Sequence, residues 1–229
     1  MLKLLNQVLF RCPVCNSVQS RRLKPFCDSC WSQLREYKST AVTDTYDDLD
    51  SLNAAFLMIG GGYEVLRTWK KIGSRSADRN LLEMNPIFKS SVRKMVSLQA
   101  DAVIAVPQTP TRSWSLKRSP AHLITRQIAK HCRTQEIQGL ELLTQHRNRQ
   151  ATLNQDERLR RGERFAFNPW QAPKLWGRRV ILVDDFTTTG QTLRQAARAL
   201  KRAGALEVHG FCLGIRPRRQ NIDQPSKSS

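Results

Sequence analysis

Residues 179–204 constrain the fold more tightly than any other part of the chain. The apolar run Arg179-Val-Ile-Leu-Val183 is followed at once by Asp184 and Asp185, then by a threonine-rich stretch, and then by helix-forming residues that end at Gly204. An uninterrupted apolar run of this length is typical of a strand that is buried on both faces. The segment therefore predicts a strand inside a parallel sheet, followed by a loop and a helix.

The same alternation of strands and helices extends over most of the chain. Apolar runs at 54–59, 102–106 and 206–213 predict further strands, and helical periodicity marks 63–71, 79–98 and the segment from Pro120. We expect a turn at the three glycines 60–62, a helix break at Pro86 and a helix start at Ser119. The predicted fold is α/β, a parallel sheet flanked by helices, with a small N-terminal four-cysteine module.

The polar loop after the 179–183 strand is the strongest candidate for a binding site. Ligands of open α/β sheets lie beyond the carboxyl ends of the strands, and a helix N-terminus suits a phosphate. Threonine hydroxyls would add donors, Gly190 would allow close backbone approach, and the two acids suit sugar hydroxyls or a divalent cation. A P-loop ATPase is excluded because the sequence has no GxxxxGK[ST]. A purely structural role, with the acids capping the helix, stays open.

Four of the six cysteines form two CxxC pairs near the N-terminus: Cys12 with Cys15, and Cys27 with Cys30. Two such pairs predict a tetrahedral thiolate zinc site, and four cysteine ligands leave no open position for substrate, so the zinc is expected to be structural. Redox dithiols or surface thiols are the alternative.

Composition sets the remaining expectations. The chain has 229 residues and a formal net charge of +19, which favours a polyanionic partner. It has no apolar run long enough to cross a bilayer and no signal-peptide pattern, so we expect a cytoplasmic protein without membrane insertion. We divide it into a zinc-binding module (1–35), a connector (36–53), the α/β domain (54–215) and a mobile basic tail (216–229).

The segment VILVDDFTTTGQT resembles the phosphoribosyl pyrophosphate (PRPP) loop of type I phosphoribosyltransferases. Together with the cysteine pairs, the whole chain resembles the ComF/GntX-like family, zinc-finger phosphoribosyltransferase-like proteins associated with DNA uptake and natural competence. The resemblance implies PRPP binding with Mg²⁺, the two acids holding the ribose hydroxyls and the loop wrapping the 5′-phosphate. The implied PRPP-binding residues are Asp184, Asp185, Thr187, Thr188, Thr189, Gly190, Gln191 and Thr192.

Weaker matches to the family lie elsewhere in the chain. Lys71 and Arg112 correspond to residues on the pyrophosphate side. The stretches 116–120 and 160–162 depart from the family's pattern where pyrophosphate and acceptor should bind. The resemblance therefore supports PRPP binding more strongly than transfer of ribose 5-phosphate to an acceptor, which the sequence does not identify.

Charge and aromatic residues suggest a second role. Residues 102–182 contain fifteen Lys and Arg but five Asp and Glu, with several aromatic residues among them. Basic and aromatic residues together can hold single-stranded DNA without sequence specificity, although the aromatics could equally belong to the core. The candidate DNA-contacting residues are Arg147, Arg149, Arg158, Arg160 and Arg161. Two hypotheses therefore stand: a phosphoribosyltransferase, or a DNA-binding competence protein that uses PRPP as ligand or regulator and works with an uptake helicase or recombination proteins.

Overall fold

The computed structural model describes residues 10–19, 26–38, 48–72, 85–108, 119–143 and 162–216. Within them the helices are α1 (Asp28–Trp31), α2 (Gly60–Ile72), α3 (Pro86–Val96), α4 (Pro120–Cys132), a 3₁₀ helix (Pro169–Lys174) and α5 (Gln191–Arg202). The strands are β1 (Phe10–Arg11), β2 (Val18–Gln19), β3 (Arg35–Glu36), β4 (Ser51–Leu57), β5 (Ala102–Ala105), β6 (Gln135–Glu136), β7 (Leu140–Leu142), β8 (Phe165–Phe167), β9 (Arg179–Thr187) and β10 (Glu207–Ile215).

Six strands form the central sheet in the order β3-β4-β10-β9-β5-β6. All neighbouring pairs are parallel except β3 with β4, which are antiparallel. The predicted α/β class is confirmed, and the sheet is mixed rather than purely parallel because the N-terminal segment adds β3 to its edge. In the described residues no helix has the length and apolar character needed to span a bilayer.

Two hydrophobic layers cover the sheet, as the apolar strands require. Along β9, Ile181 and Val183 pack on one side with residues of α2, α3 and α4, whereas Val180 and Leu182 pack on the other with α5. Successive side chains of a strand point to opposite faces, so an apolar strand needs helices on both. The strand β9 therefore lies inside the sheet with apolar packing on both faces.

The helix starts follow local capping chemistry. Ser119 accepts a hydrogen bond from the amide of His122 at 3.2 Å, as predicted for the start of α4. Pro86 is the first residue of α3, and the Asn85 side chain accepts from the amides of Ile87 and Phe88. Pro86 therefore begins α3, because a helix start needs no amide hydrogen at that position; the part of the predicted helical segment before it, 79–84, lies outside the described residues.

The cysteine-containing segment packs directly on α2. Cys12 and Cys30 are buried in the same cluster as Leu66 and Trp69 of α2. The glycines 60–62, where we expected a turn, form the first residues of this helix. A Cβ atom at Gly62 would lie 2.6 Å from the backbone carbonyl oxygen of Gln33, so only glycine allows the two segments to approach this closely.

Candidate functional site

The site lies where the sheet changes winding direction. From β5 the chain passes through α4 to β6 on one side, and from β9 it passes through α5 to β10 on the other. The pairing of β9 with β5 ends at Val183, whereas its pairing with β10 continues to Thr187. A crevice between two strands that lead in opposite directions is the usual ligand position in an open α/β sheet. Asp184 and Asp185 stand at this crevice.

Both acids are buried and hydrogen-bonded. Asp184 accepts from the amide of Asp185 at 2.8 Å, and Asp185 accepts from the amide of Phe186 at 2.7 Å. The second carboxylate oxygen of Asp185 accepts from Lys70 Nζ at 2.7 Å and from Gln108 Nε2 at 3.1 Å. Asp185 thus joins three segments: α2, the chain after β5, and β9.

Burial and the neighbouring charge of Asp185 raise the pKa of Asp184 from 3.8 to about 7. Near neutral pH a substantial fraction of Asp184 is therefore protonated, and a protonated carboxyl can donate a hydrogen bond as well as accept one. The crevice presents one acid that contacts a lysine and one acid whose pKa is raised to about 7.

The threonine-rich loop links β9 to α5. Thr187 Oγ1 accepts from the Gly190 amide at 2.9 Å, and Thr189 Oγ1 lies 3.4 Å from the Gln191 amide. Gly190 has φ +71°, a left-handed conformation that favours glycine. It is the N-cap of α5 and provides no side-chain hydrogen bond to the helix. The start of α5 is thus available to an anion.

The predicted loop residues are therefore brought together as one unit. Thr188, Thr189 and Gln191 are exposed, Thr192 is half-buried, and Thr187 and Gly190 are buried. The arrangement offers hydroxyls and amides beside two carboxylates, which is the donor and acceptor set that a sugar phosphate requires.

Sequence reasoning missed Lys70. It named Lys71, which is exposed, whereas Lys70 is the residue that contacts Asp185. The helical period contains the missing signal, because Lys70 follows the buried Leu66 by four positions and Lys71 follows the exposed Arg67. Lys70 also lies 5.2 Å from the centre of the Phe186 ring. Arg112, Arg147, Arg149, Arg158, Arg160 and Arg161 lie outside the described residues.

The four N-terminal cysteines meet in one cluster. Their four sulfur atoms all lie within 4.8 Å of one another, and the sulfurs of Cys15 and Cys27 are 3.5 Å apart. Tetrahedral zinc with Zn–S bonds of about 2.3 Å needs sulfurs about 3.8 Å apart, so the donor set fits a zinc ion. A hydrogen bond with Ser17 lowers the pKa of Cys15 to about 6, which favours the thiolate that a metal binds.

The aromatic residues of segment 102–182 that the structure describes divide into two groups, and Trp114 lies outside the described residues. Phe165 and Phe167 are buried and belong to the core, so they are not available for base stacking. Trp170 and Trp176 are 89% and 68% exposed. Among the described residues, Trp170 and Trp176 are therefore the aromatic side chains that could stack on bases.

Comparisons with known proteins agree with this geometry. Residues 141–226 match the family described as phosphoribosyl transferase domain. DNA utilization protein YhgH of Escherichia coli is 34% identical over 128 residues, covering 53% of this chain and 52% of that protein. Competence protein F of Haemophilus influenzae is 23% identical over 197 residues, covering 80% and 82%. The chain thus spans about half the length of the Escherichia coli relative it matches.

Among solved structures, a purine phosphoribosyltransferase from Pyrococcus horikoshii aligns with 18% identity, covering 56% of this chain and 69% of that one, at a TM-score of 0.35. The family match, the sheet and the cysteine cluster define the class as a phosphoribosyltransferase-like α/β protein with a four-cysteine module. Within that class, the matches to competence protein F and DNA utilization protein YhgH support a ComF-like family, the family that the sequence resembles.

Proposed function

We propose that this protein binds PRPP in the crevice between β5 and β9 and acts as a phosphoribosyltransferase-like protein in DNA uptake. One observation carries the proposal. Two buried acids near the end of β9 stand at the crevice, directly before a hydroxyl-rich loop and a helix whose N-cap has no side-chain hydrogen bond. The names of the relatives, which refer to DNA utilization and competence, support the role in DNA uptake.

The proposed pose follows from the donors and acceptors. The 5′-phosphate would accept hydrogen bonds from the hydroxyls of Thr188 and Thr189 and from amides at the start of α5, where the helix dipole favours an anion. Ribose hydroxyls would donate to the carboxylates of Asp184 and Asp185. The sugar would then lie across the crevice, with its C1 carbon directed toward the chain that follows β5.

In this proposal Lys70 changes its partner when PRPP binds. Its amine now donates to the Asp185 oxygen that a ribose hydroxyl would use, and its side chain is 34% exposed. An exposed lysine stem can turn without disturbing the core. We infer that ribose takes the place of Lys70 on Asp185 and that Lys70 turns toward the pyrophosphate.

Transfer would break the bond between C1 and pyrophosphate and form a bond between C1 and the acceptor. Pyrophosphate leaves with the bonding electrons, and the positive charge that develops on the sugar is stabilised by nearby anionic groups. Mg²⁺ would neutralise charge on the pyrophosphate oxygens. Both carboxylates already accept hydrogen bonds, so we assign this ion mainly to pyrophosphate and water.

Calorimetry with PRPP and Mg²⁺ tests the site. We expect Asp185→Asn and Lys70→Gln each to weaken PRPP binding about tenfold or more, because each removes a charged hydrogen-bonding partner worth about 1.5–3 kcal/mol. Lys71→Gln is the matched control, one residue away and exposed, and should bind normally. Equal affinities in all four proteins would refute the proposed site. Pyrophosphate release across a panel of acceptors then separates turnover from binding alone.

We also propose structural zinc on Cys12, Cys15, Cys27 and Cys30, and the division into a zinc module (1–35), a connector (36–53), the α/β domain (54–215) and a basic tail (216–229). The meeting of the four sulfurs within 4.8 Å of one another supports the zinc. The net charge of +19 supports single-stranded DNA as a second ligand, bound without sequence specificity. An uptake helicase or a recombination protein is the protein partner we propose, in the cytoplasm.

A further inference from the structure

Two neighbouring helices on one side of the sheet carry positive charge without any acid. Neither α3 nor α4 contains an Asp or Glu, although together they hold five Lys and Arg. All five are exposed; Lys94 pairs with Glu36, and the other four are Lys89, Arg93, Arg126 and Lys130. Since α3 and α4 pack against each other above the same sheet face, we call these four residues the α3–α4 basic face.

Five other cations of the described surface pair with acids. Arg198 pairs with Asp48 at 2.8 Å, and Lys201 pairs with Asp50 at 2.8 Å. Similar pairs join Arg202 to Glu163, Lys94 to Glu36 and Arg67 to Glu64. Within the described ranges, by contrast, the four residues of the α3–α4 basic face form no ion pair.

Helix stability explains only part of this pattern. Cations in the last turn favour the helix dipole, which accounts for Arg93 and Lys130. It does not account for Lys89, near the start of α3, or for Arg126, in the middle of α4. In each helix the two cations are four positions apart, about 6 Å along the axis, where like charges repel. An anionic partner would remove that repulsion.

The geometry points to the partner's chemistry, and here we build on the proposed role in DNA uptake. We propose that the α3–α4 basic face binds the phosphate backbone of single-stranded DNA without reading its sequence. The face lies on the outer side of two helices, whereas the PRPP crevice lies at the carboxyl ends of the strands, so one molecule can hold both ligands. A membrane fits less well, because Val96 is the one exposed large hydrophobic residue that the structure describes on α3 and α4.

The test compares two variants that lose the same charge. The first carries Lys89→Gln, Arg93→Gln, Arg126→Gln and Lys130→Gln. The matched control carries glutamine at four compensated cations, namely Arg67, Arg198, Lys201 and Arg202. Circular dichroism and PRPP titration verify that both variants fold. The probe is a fluorescein-labelled oligothymidylate of about twenty nucleotides, titrated between about 50 and 200 mM salt.

We expect the face variant to bind at least about tenfold more weakly at the lowest salt concentration. The slope of log affinity against log salt should fall by about 3, since each phosphate contact to a single strand contributes about 0.7. The control should keep nearly the wild-type slope. Equal losses in both variants, or none in the face variant, would overturn the proposal while leaving DNA binding intact.

Two further outcomes are also decisive. If the wild-type protein does not bind the oligonucleotide, both the proposed DNA role and this surface are refuted, although PRPP binding is not. If anionic phosphatidylserine vesicles compete with the oligonucleotide and lose binding in the same variant, the face is a membrane site and the proposal is wrong.

Discussion

Replacement of Asp184 by asparagine should make the protein more stable at high pH. The asparagine side chain keeps an oxygen in place to accept from the Asp185 amide, as Asp184 does at 2.8 Å, but it carries no charge. In the wild-type protein, burial and Asp185 raise the pKa of Asp184 from 3.8 to about 7. The folded state therefore holds a proton that the unfolded chain releases, and wild-type stability falls as pH rises from about 4 to about 7.

The size of the effect follows from that shift. About three pKa units at about 1.36 kcal/mol each give a maximum of about 4 kcal/mol. Of this, about 2 to 3 kcal/mol should develop between about pH 5 and pH 8. Over this range the free energy of unfolding of Asp184→Asn should rise by that amount relative to wild type, because the variant has no group to ionise.

Urea unfolding followed by far-ultraviolet circular dichroism, at pH 5 and pH 8, measures the difference. Asp50→Asn is the control, because the pKa of Asp50 is shifted downward whereas the pKa of Asp184 is shifted upward. Although burial opposes it, hydrogen bonds from Lys201 and the Val208 amide lower the pKa of Asp50, so its contribution is already complete by pH 5. That variant should show a constant deficit. If Asp184→Asn also differs from wild type by a constant amount, Asp184 titrates normally and the reasoning about the crevice fails.

Two further predictions concern the N-terminal module. Elemental analysis of protein purified without chelator should find about one zinc per chain, and metal-free wild-type protein would refute the site. Cys30→Ser should lose the metal and lower the melting temperature, whereas Cys132→Ser, outside the cluster, should keep the metal. Gly62→Ala should destabilise the protein by about 1–3 kcal/mol, because the added Cβ meets the backbone carbonyl of Gln33. Gly61→Ala should be tolerated, because its Cβ meets only the movable Gln33 side chain. Equal unfolding midpoints in the two variants would contradict this packing.

The segment from β9 to α5 could be predicted because its signal is local. The strand, the acids, the loop and the helix follow one another in the chain, and the residue types of each part favour the conformation that it adopts. The position of the acids at the crevice was also predictable, because ligands of open α/β sheets bind beyond the carboxyl ends of the strands.

Contacts between distant parts of the chain could not be predicted in this way. The helical period places Lys70 rather than Lys71 on the buried side of α2, but Lys70 reaches Asp185 only because α2 packs beside the end of β9, and no local pattern encodes that packing. The glycines 60–62 read as a turn because their partner, Gln33, belongs to another segment. Exposure likewise separates Trp170 from Phe167, although both are aromatic residues near basic ones.

The contact between Gly62 and Gln33 also bears on how such chains diversify. A glycine within a helix is destabilising unless a close neighbour leaves no room for a Cβ atom. Here that neighbour is Gln33, which follows shortly after the second cysteine pair. Homologues that have discarded the cysteine-bearing segment should be free to place alanine or a larger residue there. Gain or loss of the cysteines and of that glycine should therefore occur together across the lineage.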